Sequence, residues 1–226
     1  MNIAVVLAGG TGSRFGADKP KQFLMLNGVM VIEHSIRLFE SIDDIDEIVV
    51  VVHRDYVGFM RQVVAERGWR KVTRVIEGGE ERYHSTLNAV RALMDYVWHG
   101  ERVNIILHDA ARPWLTADIV ERTVAALQHY DAVAVGIRST DTIWRCKEEG
   151  DVTVAGIPPR SEMWRAQTPQ AFELGVLVEA YRRALKDSVF VATDDCGVVH
   201  RYMPEVEISV VEGSEANRKV TFKGDI

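Results

Sequence analysis

Five short apolar, β-branched runs, at residues 3–7, 48–52, 72–76, 103–107 and 132–137, recur along this chain with stretches of helical period between them. Runs that are apolar at most positions, instead of at alternate ones, predict strands buried on both faces. The intervening segments 31–39, 56–67, 85–97 and 117–128 carry apolar residues at helical spacing and would supply the covering helices. The expected fold is therefore α/β, a Rossmann-like, doubly wound, mostly parallel sheet. With 226 residues, 47% of them hydrophobic, the chain can bury one sizeable core, so a single domain over residues 1–226 is expected.

The alternation breaks after Ile137. Residues 140–146 and 152–157 are β-prone and flank the polar turn Lys147-Glu148-Glu149-Gly150-Asp151, which predicts a hairpin. A hairpin arriving late in a parallel sheet has no place in the core, so it is expected to project as an arm over about residues 139–158. An exposed two-stranded arm is marginal alone. Packing on a second subunit would remedy that, so a homodimer formed by arm exchange is expected. The chain then resumes at Thr168-Pro169-Gln170, with a helix at about 174–185 and a last strand near 206–211.

Charge and composition narrow the partners. The balance of 27 Lys and Arg against 33 Asp and Glu, a formal charge of -6, offers no basic footprint for a nucleic acid, so an anionic ligand needs a local pocket. No apolar stretch approaches the roughly 20 residues that span a bilayer, and Met1-Asn2-Ile3 enters the first apolar run without the charged start of a signal peptide. No membrane partner and a cytoplasmic location are expected. Cys146 and Cys196 lie far apart with no Cys-x-x-Cys spacing, which predicts reduced thiols and neither a disulfide framework nor a structural metal.

The segment Leu7-Ala8-Gly9-Gly10-Thr11-Gly12-Ser13-Arg14-Phe15-Gly16 follows the first run, at the carboxyl edge of the sheet where open α/β folds bind ligands. Glycines there let backbone N–H groups approach phosphate oxygens and form an anion-binding concavity. A tight strand-to-helix turn without a ligand is the alternative. A dinucleotide fingerprint starting at Gly10 would need glycine at Phe15, and a Walker A loop would need Gly-Lys followed by a hydroxyl residue; neither occurs. What does occur is Arg14 with Lys19 and Lys21, a concentration of cations that suits a polyphosphate in an otherwise acidic chain.

Gly12-Ser13-Arg14-Phe15-Gly16 followed by Pro20-Lys21-Gln22 resembles the nucleotide loop of the cytidylyltransferases that act on methylerythritol phosphate in isoprenoid synthesis. Further blocks match in the same order over nearly the whole chain. They are Gly78-Gly79-Glu80-Glu81-Arg82 with Ser85, His108-Asp109-Ala110-Ala111-Arg112-Pro113, Thr140-Asp141-Thr142, Trp164-Arg165-Ala166-Gln167-Thr168-Pro169-Gln170, and Glu212-Gly213-Ser214 with Asn217-Arg218-Lys219-Val220-Thr221. Singly each is weak; the ordered set is specific. The resemblance implies a fold of the nucleotide-diphospho-sugar transferase type and transfer of CMP from CTP to 2-C-methyl-D-erythritol 4-phosphate with Mg2+. It also implies a closing helix beyond the position of Ile226, so a packing surface near the C-terminal end is expected to be shorter.

The related group that makes CDP-ribitol from ribitol 5-phosphate is the alternative. Gly9-Gly10-Thr11-Gly12 and Thr193-Asp194-Asp195-Cys196 lean towards it, whereas the short spacing from Arg14 to Lys21, the alanine pair Ala110-Ala111 and Trp164-Arg165-Ala166-Gln167 resemble the methylerythritol group. A non-catalytic nucleotide-binding module is a more distant alternative, disfavoured by the joint presence of Arg14, Lys21, Asp109, Arg160 and Lys219.

In nucleotidyl transfer an acceptor phosphate oxygen attacks the α-phosphorus of CTP in line with departing pyrophosphate, so positioning and charge stabilisation carry the reaction. The resemblance implies that Arg14 and Lys21 stabilise the transition state, with Arg160 and Lys219 completing the catalytic set. The acceptor would be held by Arg160, Thr168, Thr193 and Lys219, with Thr142 reaching in from a partner's arm. The nucleotide would lie on Ala8, Gly9, Gly10, Thr11, Gly12 and Ser13, with Gly79, Glu80, Arg82 and Ser85 at the cytosine and Asp109, Ala110 and Arg112 alongside. Asp109 follows the fourth apolar run and His108, and so emerges at the ligand edge. A lone aspartate there suits Mg2+, which takes one or two carboxylates plus phosphate oxygens; a helix N-cap or a salt bridge to Arg112 is the other reading. His108 is expected to be structural, and each loop cation, taken alone, would be an ordinary surface charge.

Overall fold

A computed structural model of the chain describes residues 1–10, 20–100, 102–147, 150, 152–221 and 223–225. In chain order the elements are β1 (Asn2–Ala8), β2 (Met25–Leu26), β3 (Val29–Met30), α1 (Val31–Ser41), β4 (Glu47–Val52), α2 (Val57–Arg67), β5 (Val72–Glu77), α3 (Arg82–Ala92), α4 (Met94–Trp98) and β6 (Asn104–Asp109). There follow α5 (Ala117–Ala126), β7 (Ala132–Arg138), β8 (Arg145–Cys146), β9 (Val154–Gly156), β10 (Trp164–Glu173), α6 (Leu174–Ala184), α7 (Asp195–Tyr202) and β11 (Ile208–Glu212).

Seven strands form one sheet in the order β11-β7-β10-β6-β1-β4-β5. All neighbours are parallel except β10, which runs antiparallel to both β6 and β7. The alternation along β1 shows how both faces are covered. Ala4, Val6 and Ala8 share a core with Ile36 and Phe39 of α1, Met60 of α2 and Val120 of α5. Ile3, Val5 and Leu7 join Leu87 of α3, Leu177 of α6 and Val199 of α7 on the opposite face. Each such aliphatic side chain, buried fully, contributes roughly 1.5–3 kcal/mol, so neither helical layer is dispensable and the expected doubly wound architecture stands.

β5 departs from the expectation of burial on both faces. It is the edge strand, and Thr73 and Glu77 are exposed. The helix expected over 85–97 is two helices, beginning earlier at Arg82 and broken at Leu93, whose backbone leaves the helical region (φ -109°, ψ 4°). A small hairpin, β2 with β3, turns on Asn27 (φ 51°) and Gly28 (φ 85°). Asn-Gly suits two residues at positive φ.

The arm is present but shorter in regular structure than expected. β8 and β9 pair antiparallel over Arg145–Cys146 and Val154–Gly156, while residues 140–144 are not strand. It leaves the sheet after Arg138 and returns at Trp164, which pair across β7 and β10. The arm carries Trp144, Val152 and Ile157 largely exposed.

β10 was not anticipated as a strand. Its register shifts between Ala166 and Gln170, where Pro169 cannot donate to the ladder, and this irregularity takes Gln167 and Thr168 out of regular pairing.

Candidate active site

From β1 the chain moves towards β4, and from β6 towards β7, in opposite directions across the sheet. That reversal opens a crevice at the carboxyl ends of β1 and β6, the place where such sheets bind ligands. A cavity of about 510 Å³ lies there. Ala8, Gly9 and Gly10 line it from the end of β1, and Lys21 and Gln22 from the segment that follows. Gly79, Glu80, Arg82 and Ser85 line it from the turn before α3 and that helix's first turn, and Asp109 and Ala110 from the end of β6. Lys219 and Thr221 close it from the C-terminal segment.

Close backbone approach explains Gly9 and Gly79. A Cβ on Gly9 would stand 2.6 Å from Ser85 Oγ and 3.3 Å from Gly78 Cα, and a Cβ on Gly79 would collide with the His84 side chain. Ser85 Oγ accepts the Gly79 N–H at 3.1 Å, so the turn and the start of α3 are tied together. Buried Gln22 ties the other side: its Nε2 donates to the carbonyls of Ala8 at 2.7 Å and Gly10 at 2.9 Å. Its neighbour Lys21 is thereby delivered to the cavity, where Nζ donates to the Val220 carbonyl at 2.7 Å.

Asp109 is the electrostatic centre. Its Oδ1 accepts from Arg82 Nε at 3.3 Å and its Oδ2 from Lys219 Nζ at 2.7 Å. Burial alone would raise its pKa, but the charges of Arg82, Lys219 and Arg112 outweigh burial and hold the carboxyl well below the usual range. Burial would likewise lower the Arg82 pKa, and the carboxylates of Asp195 and Asp109 reverse the effect. Both groups therefore stay charged. Lys21, Arg82 and Lys219 face Asp109, Glu80 and Glu81 around the described lining, so affinity for an anion depends on where the charges sit and on backbone N–H groups, not on an excess of cations. Lys219 and the Val220 carbonyl that receives Lys21 are adjacent in the chain, which brings two ammonium groups to one rim.

His108 is structural, as expected. Its position is fully buried, and burial pushes its pKa down to about 4. The Asp109 N–H donates to Thr168 Oγ1 at 3.2 Å, the Thr168 hydroxyl lies 3.0 Å from His108 Nδ1, and His108 Nε2 lies 3.1 Å from the Arg112 carbonyl. A neutral ring satisfies the chain only if Nε2 carries the proton and donates to Arg112, with Nδ1 accepting from Thr168.

The donor set can be tested against a divalent cation. Among the described residues no group of three or more His, Cys, Asp and Glu gathers in one place. Mg2+ needs only one or two carboxylates when phosphate oxygens complete its shell. Asp109, ionised and lining the cavity, fits that requirement, provided Lys219 yields one oxygen.

Of the residues expected at the site, Ala8, Gly9, Gly10, Lys21, Gly79 and Glu80 line one cavity with Arg82, Ser85, Asp109, Ala110 and Lys219. Arg14, Thr11, Gly12 and Ser13 lie outside the described residues. Arg112 stands behind the lining, where Nη1 donates to the Asn217 carbonyl at 2.8 Å and Nε is buried with no partner among the described residues. Thr168 sits beneath Asp109 with its hydroxyl used as above. Thr193 is exposed just before α7, Thr142 is exposed at the base of the arm, and Arg160 is exposed with Nη1 donating to the Thr140 carbonyl at 3.2 Å. These last three are not brought to the cavity of their own chain. Sequence reasoning gave no role to Gln22, although its block was recognised, nor to the amides Gln167 and Asn217. Those two join the C-terminal segment to β10 through Gln167 Nε2 to the Ser214 carbonyl and Asn217 Nδ2 to the Thr168 carbonyl, both 2.8 Å.

The sequence model of the 2-C-methyl-D-erythritol 4-phosphate cytidylyltransferase family matches residues 2–226. The chain belongs to this family. It is thus a nucleotidyltransferase, and the α/β fold is that of its relatives. It is 40% identical over 225 residues to the 2-C-methyl-D-erythritol 4-phosphate cytidylyltransferase of Thermobifida fusca, covering 99% of this chain and 89% of that protein. It is 39% identical over 225 residues to the bifunctional ribulose 5-phosphate reductase/CDP-ribitol pyrophosphorylase of Haemophilus influenzae, covering 100% of this chain and 46% of that protein. The solved 4-diphosphocytidyl-2C-methyl-D-erythritol synthase of Anaerococcus prevotii has the same fold, with a TM-score of 0.85 at 23% identity over 100% of this chain and 92% of that one. Among the described residues of this cytidylyltransferase-family member, no helix is long and apolar enough to cross a membrane.

Proposed function

We propose that this cytidylyltransferase transfers CMP from CTP to 2-C-methyl-D-erythritol 4-phosphate, releasing pyrophosphate and forming 4-diphosphocytidyl-2-C-methyl-D-erythritol. The observation that carries the reading is the meeting of the glycine turn, Lys21, Asp109 and Lys219 around one cavity, in a chain 40% identical end to end to an enzyme named for that reaction.

The cytosine lies against Gly79, Glu80, Arg82 and Ser85, where backbone and short polar groups read the pyrimidine edge and a mismatched base leaves buried donors unpaired. The triphosphate lies along the N–H groups of the glycine loop, residues 9–13. As the acceptor phosphate oxygen bonds to the α-phosphorus and the bond to pyrophosphate breaks, negative charge grows on the departing oxygen. Lys21 and Arg14 balance it. Lys219 and Arg160 neutralise the acceptor phosphate, which is already an anion near pH 7, so no general base is required. Asp109 would hold Mg2+ together with phosphate oxygens, and the ion would supply charge neutralisation and orientation of the triphosphate.

Thr142 and Arg160 complete the site from the arm of a second subunit, as part of a homodimer of single-domain chains. The exposed Trp144, Val152 and Ile157 give that arm an apolar surface for a partner. A cytoplasmic setting accords with free Cys146 and Cys196. The H. influenzae relative favours a second reading, ribitol 5-phosphate as acceptor. Pyrophosphate release measured with CTP and each acceptor in turn separates the two. Turnover with ribitol 5-phosphate alone would overturn the first.

A further inference from the structure

The guanidinium of Arg82 is gripped on two edges. Nε donates to Asp109 at 3.3 Å and Nη1 to Asp195 Oδ2 at 2.5 Å. Asp195 lies outside the cavity lining, fully buried at the first position of α7, and no step above uses it. Its placement is nonetheless determined from several sides. Oδ1 accepts the Tyr181 hydroxyl of α6 at 2.6 Å. The N–H groups of Asp195 and Cys196 both donate to Gln170 Oε1 at 3.1 Å, and Gln170 Nε2 donates to Asp194 Oδ2 at 2.8 Å. Burial, with the facing Asp195 carboxylate, raises the Tyr181 hydroxyl far above its ordinary value, so it remains a donor.

A buried carboxylate gripped in this way is a poor device for stability, because well-packed apolar groups of the same volume commonly do as well or better. Its geometric consequence is specific. With Asp195 holding Nη1 on one side and Asp109 holding Nε on the other, the planar guanidinium of Arg82 is fixed in one orientation at the edge of the cavity. We propose that Asp195, fixed by Tyr181, is a positioning residue that aims Arg82 at the nucleotide. This rests on the reading of the cavity as the CTP site.

The test is the kinetics of pyrophosphate release by D195N, Y181F, R82M and the doubles D195N/R82M and Y181F/R82M, with CTP affinity from calorimetry and the melting temperature of each. D195N is expected to lower kcat/KM for CTP about 100-fold, the scale on which small misplacements act. Y181F, which keeps every charge, is expected to raise KM for CTP about 5-fold with kcat within about 2-fold. Both effects are expected to vanish when residue 82 is Met, since the residue acts through Arg82. An equal loss with and without Arg82, or D195N at the parent's kinetics, overturns the proposal. Should D195N fail to fold, the Y181F pair makes the same comparison. R82M at parent rates would overturn both the base-site role of Arg82 and the positioning of it. A parent protein that binds CTP without turning it over would refute the proposed reaction alone, and the calorimetric constants of the same variants would then decide the positioning.

Discussion

Substituting Gly9 by alanine isolates the packing that shapes the glycine turn lining the cavity. Ordinary van der Waals contact begins near 3.4 Å, and the new Cβ would meet Ser85 Oγ at 2.6 Å, a shortfall of 0.8 Å (3.4 less 2.6), with Gly78 Cα at 3.3 Å behind it. The backbone of Gly78 is itself held by its N–H to the Val52 carbonyl at 2.7 Å, so the strand end resists retreat. Ser85 can rotate away, but then the Gly79 N–H loses its 3.1 Å acceptor. Overpacking of this kind costs about 1–3 kcal/mol, and the lost hydrogen bond about 1 kcal/mol. Gly9→Ala should therefore destabilise by about 2–4 kcal/mol, lowering Tm by roughly 5–15 °C for a chain of this size. Ser85→Ala alone removes the hydrogen bond at about 1 kcal/mol, and in that background the alanine at 9 meets Ser85's Cβ position at an acceptable 3.7 Å. The double variant should melt no lower than Gly9→Ala alone, a favourable coupling of about 1–2 kcal/mol. Denaturant unfolding of the four proteins measures it. Additivity within about 0.5 kcal/mol, or a Gly9→Ala protein that melts within a degree of the parent, would refute the packing argument.

Lys21→Ala should lower turnover by about 100- to 1,000-fold while CTP affinity changes far less; an unaffected rate in the pyrophosphate assay would remove Lys21 from the mechanism. His108 contributes a pH dependence of definite sign. It is held neutral in the fold down to about pH 4, whereas in the unfolded chain it takes up a proton below about 6.5. Stability must therefore fall with pH between those values, by about 1.4 kcal/mol per unit from this residue. His108→Gln can keep both hydrogen bonds, so the stability gap between parent and variant should shrink by about 2 kcal/mol from pH 7 to pH 5, and parallel unfolding curves would refute the assignment. Trp144→Glu combined with Val152→Glu should shift sedimentation to the monomer and abolish turnover, and a fully active monomer would dispose of arm exchange.

What the sequence made legible follows from what each element buries. β1, β4, β6 and β7 announce themselves because both of their faces are covered by helices and little but aliphatic residues can be placed there. β10 is as central as they are, yet it carries Gln167, Thr168, Pro169 and Gln170, which read as turn. They are tolerated because each polar side chain is satisfied by the site's own network, Gln170 by the start of α7 and Gln167 by the C-terminal segment. The same cause hid α7, whose N-terminus is polar because Asp194 caps it, accepting the Gly197 N–H at 2.7 Å. The cavity residues were legible through ordered motifs. The coupling of Arg82 to Asp195 was not, since 113 positions separate them and neither side chain signals the other.

The C-terminal segment shows why the site cannot be assembled piecemeal. The Val220 N–H donates to the Ala111 carbonyl at 2.7 Å while the Val220 carbonyl receives Lys21, so the backbone of one residue links the turn after β6 to the residue that follows the glycine loop. Arg112 and Asn217 stitch the same segment to β6 and β10 through the Asn217 and Thr168 carbonyls. Lys219 reaches Asp109 only because those flanking bonds fix its backbone. Its ammonium is therefore placed by contacts on either side of it, and the rim of the cavity forms only when the last part of the chain has docked onto the first. In the proposed reaction a cation so positioned would exchange one carboxylate oxygen for a phosphate with its backbone already fixed, the preorganisation that charge stabilisation in a transition state requires.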